Sequence, residues 1–434
     1  MSPAAVPRAS ATLVVVRQAA DGIELLLLQR ADKGDHNSGA WVFPGGLVDA
    51  ADRRSHPHCA GVDDAAASTR LSVAQGGLDF YVAAIRECFE EAGLLFAIDD
   101  RDRAVAMQGD AGARLVALRE PLHGGERELA DVCREFGLRL AADRLDYIGH
   151  WVTPVGLPKR FDTRFFLAEL PEGQASKHDA IETLDQVWLR PATALAPENS
   201  RRLLRVTRSV IEMIGRFADT DALMAWARSP REVAMVMQRR CMDGAGPRTI
   251  MPHDPAYAEV ARLDPQGDGT AWCEMRHGVA VRLSPRVLRV TSPGTPGHNA
   301  YLVGGEQIGW IAIDPGPADG NHIEALIEAA PGRIRSILLP GDGARAGADR
   351  LAERTGAQVQ DPGTGAGRAI GLGDDITVRV VRDPQGSAQR VCYLLVEEKT
   401  LFPGTASHPP GPPSLSLEDL EWIAPGQGFL IPVP

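Results

Sequence analysis

Residues 86–94, Arg86-Glu87-Cys88-Phe89-Glu90-Glu91-Ala92-Gly93-Leu94, constrain this chain more than any other stretch. Val82, Ile85, Phe89 and Ala92 recur at spacings of three, four and three. That apolar stripe predicts a helix over 79–92, with Gly93 placed to end it. On such a helix Glu87 and Glu91 are one turn apart, and Glu90 shares their face. Like charges at this spacing cost about 0.2–0.5 kcal/mol per pair. A divalent cation reverses that sign, and Mg²⁺ takes hard oxygen ligands of this kind. Arg86 is spaced to pair with Glu90 and hold a ligand in place. A solvated acidic face is the plainer alternative. The upstream run Phe43-Pro44-Gly45-Gly46, followed by Asp52, favours a metal site.

Around this helix the pattern is mixed α/β. Residues 11–17 and 24–30 are β-rich runs separated by Asp21-Gly22, a hairpin signal. Trp41–Gly46 reads as a short strand ending in a glycine turn. Residues 53–77 show little periodicity and are expected to be an inserted surface segment. Helices are expected over 112–119, 125–136, 201–217 and 220–227, and strands over 147–153, 164–170 and 186–189. Together these define a domain over 8–228. A Pro/Gly-bearing connector with some helix follows over 229–283. A second α/β region occupies 284–434, with strands at 287–290, 299–303, 310–313 and 337–339 and a helix over 322–330.

Composition narrows the function classes. With 46 Lys+Arg against 57 Asp+Glu, the net charge is −11. Such a chain repels phosphate backbones on average, so no nucleic-acid partner is expected, and any anionic substrate needs a local cation. No apolar run approaches the ~20 residues of a membrane helix. The cysteines at 59, 88, 133, 241, 273 and 392 form no C-x-x-C pair, which suggests a reducing, cytoplasmic setting. His56-Pro57-His58-Cys59 reads as surface, the Gly363–Gly367 run lacks a following helix, and His298 reads as a turn residue.

The segment 46–94 resembles the Nudix hydrolase box, G-x5-E-x7-R-E-U-x-E-E-x-G-U, where U is a bulky apolar residue. Gly46 matches its first glycine. Arg86, Glu87, Glu90, Glu91, Gly93 and Leu94 match its second half. Asp52 stands where the family has Glu, and about 26 extra residues separate it from Arg86, a modest closure cost. A long insertion at this point is similar to the peroxisomal coenzyme A diphosphatase subgroup. Arg160–Phe166, Glu182, Trp188 and Pro191 extend the likeness. The resemblance implies an α/β/α Nudix sandwich and cleavage of a small-molecule diphosphate. It implies Mg²⁺ or Mn²⁺ held by Glu87, Glu90 and Glu91, with Glu87 as general base and Arg86 orienting a carboxylate. A main-chain carbonyl near Gly46 completes the shell in this reading, and Glu182 is an extra ligand or base. Of the subgroup's upstream motif, Leu26, Leu27, Arg30, Ala31 and Gly39 match. Leu28 and Asp35 depart from it. Coenzyme A or an acyl derivative is therefore the substrate lead, with Arg30 as a phosphate contact. A nucleotide-sensing protein without turnover is the competing reading.

The second region resembles a metallo-β-lactamase-fold hydrolase through Gly297–Gly304, Ile313-Asp314-Pro315-Gly316, Leu351–Ala357 and Cys392–Gly404. Its H-x-H-x-D-H cluster is replaced by Leu339–Gly347. The sites of the later ligands hold Arg382–Gly386 and Thr405. The resemblance thus implies a reduced αβ/βα domain with no zinc site, against the alternative of residual hydrolase activity there.

Overall fold

Two apolar runs that do not alternate, Leu13–Val16 and Leu25–Leu28, are strands buried on both faces. They lie in β1 (Arg8–Ala19) and β2 (Gly22–Arg30), an antiparallel hairpin turning at Asp21-Gly22. The computed structural model describes residues 5–429 apart from 32–37, 253, 255, 274, 294–296, 362–366, 374, 383–390, 404–421 and 424–426. Asp35, the glycines at 363–366, residues 383–386 and Thr405 therefore lie outside the described residues. The chain forms two compact units, one of Met1–Thr153 with Leu157–Met237 and one of Pro154–Gly156 with Gln238–Pro434.

In the first unit, β3 (Trp41–Val42) and β4 (Gly45–Leu47) flank the Phe43-Pro44 turn. A 3-10 turn (Asp52–His58) and α1 (Asp64–Leu71) precede α2 (Gly77–Ala92). Then come β5 (Ala97–Ile98), α3 (Gly109–Val116), α4 (Arg119–His123), α5 (Leu129–Phe136) and β6 (Arg139–Leu140). β7 (Asp146–Val152), β8 (Phe161–Glu169) and β9 (Thr183–Leu189) follow, then α6 (Pro191–Leu195), α7 (Arg205–Ile214), α8 (Thr220–Arg228) and β10 (Met235–Met237). The main sheet runs β10-β7-β8-β1-β2-β3, with β4 on β1 and β9 on β2. Side chains alternate between its faces. Leu13, Val15, Leu26 and Leu28 pack under α2 with Tyr81, Ile85 and Phe89. Val14, Val16, Leu25 and Leu27 meet Val210, Ile211 and Leu223 of α7 and α8. This is the expected α/β/α sandwich.

The inserted segment is more than surface. Ala67 and Leu71 of α1 join the core beneath α2. Gly77 lies so close to the Ser68 backbone that a Cβ has no room, and its N–H donates to Ser68 Oγ at 2.9 Å. At two turns, α1 is too short for its periodicity to stand out in sequence. Residues 201–204, expected to be helical, precede α7, which begins at Arg205.

In the second unit, β11 (Arg239–Asp243) and β12 (Gly246–Ile250) form a hairpin, followed by α9 (Tyr257–Leu263) and β13 (Ala280–Arg282). Residues 229–283, expected as a connector, thus contribute β10 to the first sheet and β13 to the next. β14 (Val287–Ser292), β15 (Gly297–Gly305), β16 (Gly309–Ile313), α10 (Gly320–Ala329), β17 (Ile334–Leu338), α11 (Arg345–Thr355) and β18 (Gln358–Gln360) build a sheet in the order β13-β14-β15-β16-β17-β18. β19 (Ala369–Leu372), β20 (Ile376–Arg382), β21 (Val391–Leu395), β22 (Thr400–Phe402) and β23 (Trp422–Ile423) form the other, while β24 (Gln427–Phe429) returns to β15. Tyr301, Val303, Ile311 and Ile313 meet Val378, Tyr393, Leu395 and Phe402 between the sheets. On the opposite face Leu288, Leu302 and Ala312 pack with Ile323, Leu326, Ala348 and Leu351 of α10 and α11.

His298 sits in β15, buried, and its Nε2 is 2.8 Å from the Asp314 carbonyl. It is not the turn residue its glycine-rich neighbourhood suggested. Asp314 itself has φ +52°, a left-handed conformation that Asn tolerates equally. Burial pushes the Asp314 carboxyl up to about 6 and holds His322 down to about 4. The two act oppositely on folding. Asp314 stabilises below its unfolded value and loses that as pH rises to about 6; His322 stabilises above its unfolded value and loses that as pH falls towards 4. Asp314→Asn removes the first contribution. The second unit of that variant should then gain about 3 kcal/mol of stability from pH 4 to 6.5, measured by denaturant unfolding, where the parent stays nearly flat.

Candidate active site

Helix α2 brings the three expected carboxylates to one place. Its C-terminus is ended by Gly93 at φ +69°, whose N–H donates to the Phe89 carbonyl at 3.0 Å. Glu91 is buried and accepts the Gly45 N–H at 2.9 Å. Gly46, in register with Ala11 of β1, backs so closely on Glu87 that a Cβ there would strike its carboxylate. The Phe43–Gly46 run is thus the wall against which the acids stand. Gly46→Ala should move Glu87 and lower turnover roughly 100-fold with little change in melting temperature, since only a flexible side chain is displaced. Steady-state kinetics beside calorimetry checks this.

Arg86 lies among the acids. Its Nε donates to Asp52 at 2.8 Å, its Nη2 to the Leu47 carbonyl at 2.8 Å, and its Nη1 to Glu87 at 2.8 Å. Glu90 is farther, 3.6 Å from Nη1. The Asp at 52 therefore reaches the arginine, across the whole insertion. Asp52 is itself only 1% exposed.

Burial dominates the electrostatics. It raises Glu87 above the usual carboxylate range, against the pull of Arg86. It pushes Glu90 up to about 7, with the charge of Glu87 adding to it. Glu91 is raised well above its ordinary value by burial and then by Glu87, and is only partly relieved by Gly45 and Arg30. Glu90 Oε1 is buried without a hydrogen-bond partner. A cluster of desolvated, mutually repelling carboxylates with an orphaned oxygen suits a hard divalent cation. Among the described residues, however, no group of three or more His, Cys, Asp or Glu side chains already converges as a metal cage, in either unit. At the acid site Arg86 supplies the neutralising charge.

The other expected residues fall around this centre. Arg30 ends β2 opposite Thr183 and faces Glu91 electrostatically. Glu182 precedes β9, and its charge acts on both Glu87 and Glu91. Two groups escaped the sequence. His123 Nδ1 of α4 is 3.8 Å from Glu90 Oε2. Arg119 is buried and donates to the Phe89 and Glu90 carbonyls at 3.0 and 2.9 Å, capping α2. Arg119 and His123 lie 25 and 29 residues beyond Leu94, where the box ends, in a stretch with no motif to flag them.

Residues 63–205 match the family model of the NUDT19 Nudix domain, and residues 7–107 that of the NUDIX domain. Among curated proteins, acyl-coenzyme A diphosphatase NUDT19 of Xenopus laevis is 26% identical over 212 residues, which is 42% of this chain and 56% of that protein. The chain spans about half the length of the curated relatives it matches. Among solved structures, a NUDIX hydrolase from Alicyclobacillus acidocaldarius is 25% identical, covers 51% of this chain and 96% of its own, and has a TM-score of 0.43. A beta-lactamase domain protein from Burkholderia ambifaria is 16% identical, covers 29% and 54%, and has a TM-score of 0.26.

Proposed function

We propose that this chain, whose residues 7–107 and 63–205 match Nudix family models, hydrolyses the diphosphate linkage of a small nucleotide-type substrate. The observation that carries the proposal is the trio Glu87, Glu90 and Glu91 on one helix face against Gly45-Gly46, with Glu90 and Glu91 buried and Glu90 Oε1 lacking a hydrogen bond. Nudix hydrolases generally use divalent ions, and these three acids would hold Mg²⁺ or Mn²⁺ here. Such an ion, when bound, neutralises the diphosphate and activates water for attack on phosphorus.

The chain's own residues do the rest. Glu87, which lies against Gly46, would take the proton of that water. Arg86, anchored by Asp52 and Leu47, holds Glu87 in register. Arg30, at the end of β2, is placed to meet a phosphate oxygen. Glu182 closes the acidic side. Coenzyme A or an acyl derivative is the favoured substrate because the curated relatives carry that name. The second unit is read as a metallo-β-lactamase-like scaffold without a zinc site. Among the described residues no helix is long and apolar enough to cross a membrane. The scattered cysteines, none in a disulfide among the described residues, suit a reducing compartment such as the cytoplasm.

The test is incubation with coenzyme A, acyl-coenzyme A, ADP-ribose, NADH and nucleotide sugars in Mg²⁺ or Mn²⁺, with products identified by mass. Metal-dependent cleavage of one diphosphate is expected. Tight binding by calorimetry without cleavage at saturating Mn²⁺ would replace the enzyme with a sensor.

A further inference from the structure

The last carbonyls of α2 are held from outside the helix. Arg119 takes those of Phe89 and Glu90, and the Lys177 N–H donates to that of Ala92 at 2.8 Å. The segment that supplies Lys177 continues to Glu182, and it is organised by one side chain. Asp179 Oδ1 accepts the Ile181 N–H at 3.2 Å, the Thr183 N–H at 2.9 Å and the Thr183 hydroxyl at 2.7 Å. Its Oδ2 accepts the Glu182 N–H at 3.1 Å. The Thr183 oxygen is also 3.4 Å from the Glu91 carbonyl, but its one proton serves the shorter bond to Asp179. The Asp179 charge acts on Arg119, the residue that grips the same helix end. Against its burial, the bonds from the segment hold the Asp179 carboxyl below the usual range.

We infer that Asp179 is a positioning residue: it folds residues 179–183 into a fixed turn that sets Glu182 beside the acid site, on a segment whose Lys177 N–H holds the C-terminus of α2. The hydrogen bonds of the Asp179 carboxylate go to its own turn, and it acts through Glu182. Its effect on turnover rests on the hydrolase reading above; its hold on the turn does not. No local pattern in the sequence separates Asp179 from other loop acids, because its partners are backbone N–H groups and the Thr183 hydroxyl of the same turn.

The experiment uses the full chain with Asp179→Ala, Asp179→Asn and Glu182→Gln. Amide hydrogen exchange at Ile181, Glu182 and Thr183 should speed up roughly tenfold or more in Asp179→Ala. It should speed up less in Asp179→Asn, whose side-chain oxygen still accepts the Oδ1 bonds. Turnover on whichever diphosphate is cleaved should fall roughly 10–100-fold in kcat for Asp179→Ala, with KM within about threefold. In the Glu182→Gln background, adding Asp179→Ala should cost nothing further. Unchanged exchange in Asp179→Ala overturns the inference, and so does a full additive loss in the double variant. A parent chain that cleaves nothing overturns the hydrolase reading instead, and the exchange comparison then decides the role of Asp179 alone.

Discussion

Replacing Glu90 or Glu91 by Gln should lower metal-dependent turnover by about 1000-fold or more, which is about 4 kcal/mol of barrier, while the fold survives or gains stability. The two halves of this result have one cause. Both carboxylates are buried, and both are held above their ordinary range by that burial. A group raised in the folded state stabilises the protein below its unfolded value and loses that contribution as pH rises through the folded one. For Glu90 the window runs from about 4.5 to about 7, and the change is about 3 kcal/mol. Metal-free protein should therefore melt at a lower temperature at pH 8 than at pH 5. Mn²⁺ should recover much of the difference at pH 8, and Glu90→Gln should flatten the slope. Calorimetry at the two pH values, with and without Mn²⁺, reads all of this. Full metal-dependent activity in both Gln variants would remove the acids from the site.

In the second unit, Glu259→Gln or Arg289→Met should each cost about 3–5 kcal/mol. Arg289 of β14 is 1% exposed and donates to Glu259 of α9 through Nε and Nη2, both at 2.8 Å. It also donates to Thr291, whose hydroxyl in turn reaches Asn299 at 2.8 Å. Removing one partner leaves a charge buried without its counterion, which costs far more than the pair contributes. The double variant Glu259→Leu/Arg289→Met should restore most of the loss. Denaturant unfolding of the full chain checks this, and a double variant as unstable as the worse single one would refute the explanation.

Much of this architecture could be read from local pattern. The β-rich runs at 11–17 and 24–30 announced two strands, and the Asp21-Gly22 turn joined them correctly. The three-four spacing of Val82, Ile85 and Phe89 located α2 to within two residues, and Gly93 ends it as expected. Short elements were lost. The two turns of α1 and the single turn of α6 carry too few residues for a period to show. β10, β11, β12 and β13 sit in Pro- and Gly-bearing sequence and are only three to five residues long; β10 is regular through pairing with distant β7, and the others through pairing with a neighbouring strand.

The acid site divides in the same way. That Glu87, Glu90 and Glu91 share a face follows from helix geometry alone, and their mutual repulsion favours a compensating cation. Which cation meets them in the folded chain is a long-range matter. Arg86 turns towards Asp52 and Glu87, Arg119 arrives from α4 to cap the helix, and Asp179 shapes the turn carrying Glu182. The burial that raises the acids comes from β4 and the sheet beneath, contributed by residues more than 40 positions away. Periodicity reports only which neighbours along the chain face the same way. Desolvation and charge pairing depend on what else occupies the same few ångströms, and only the packed fold determines that.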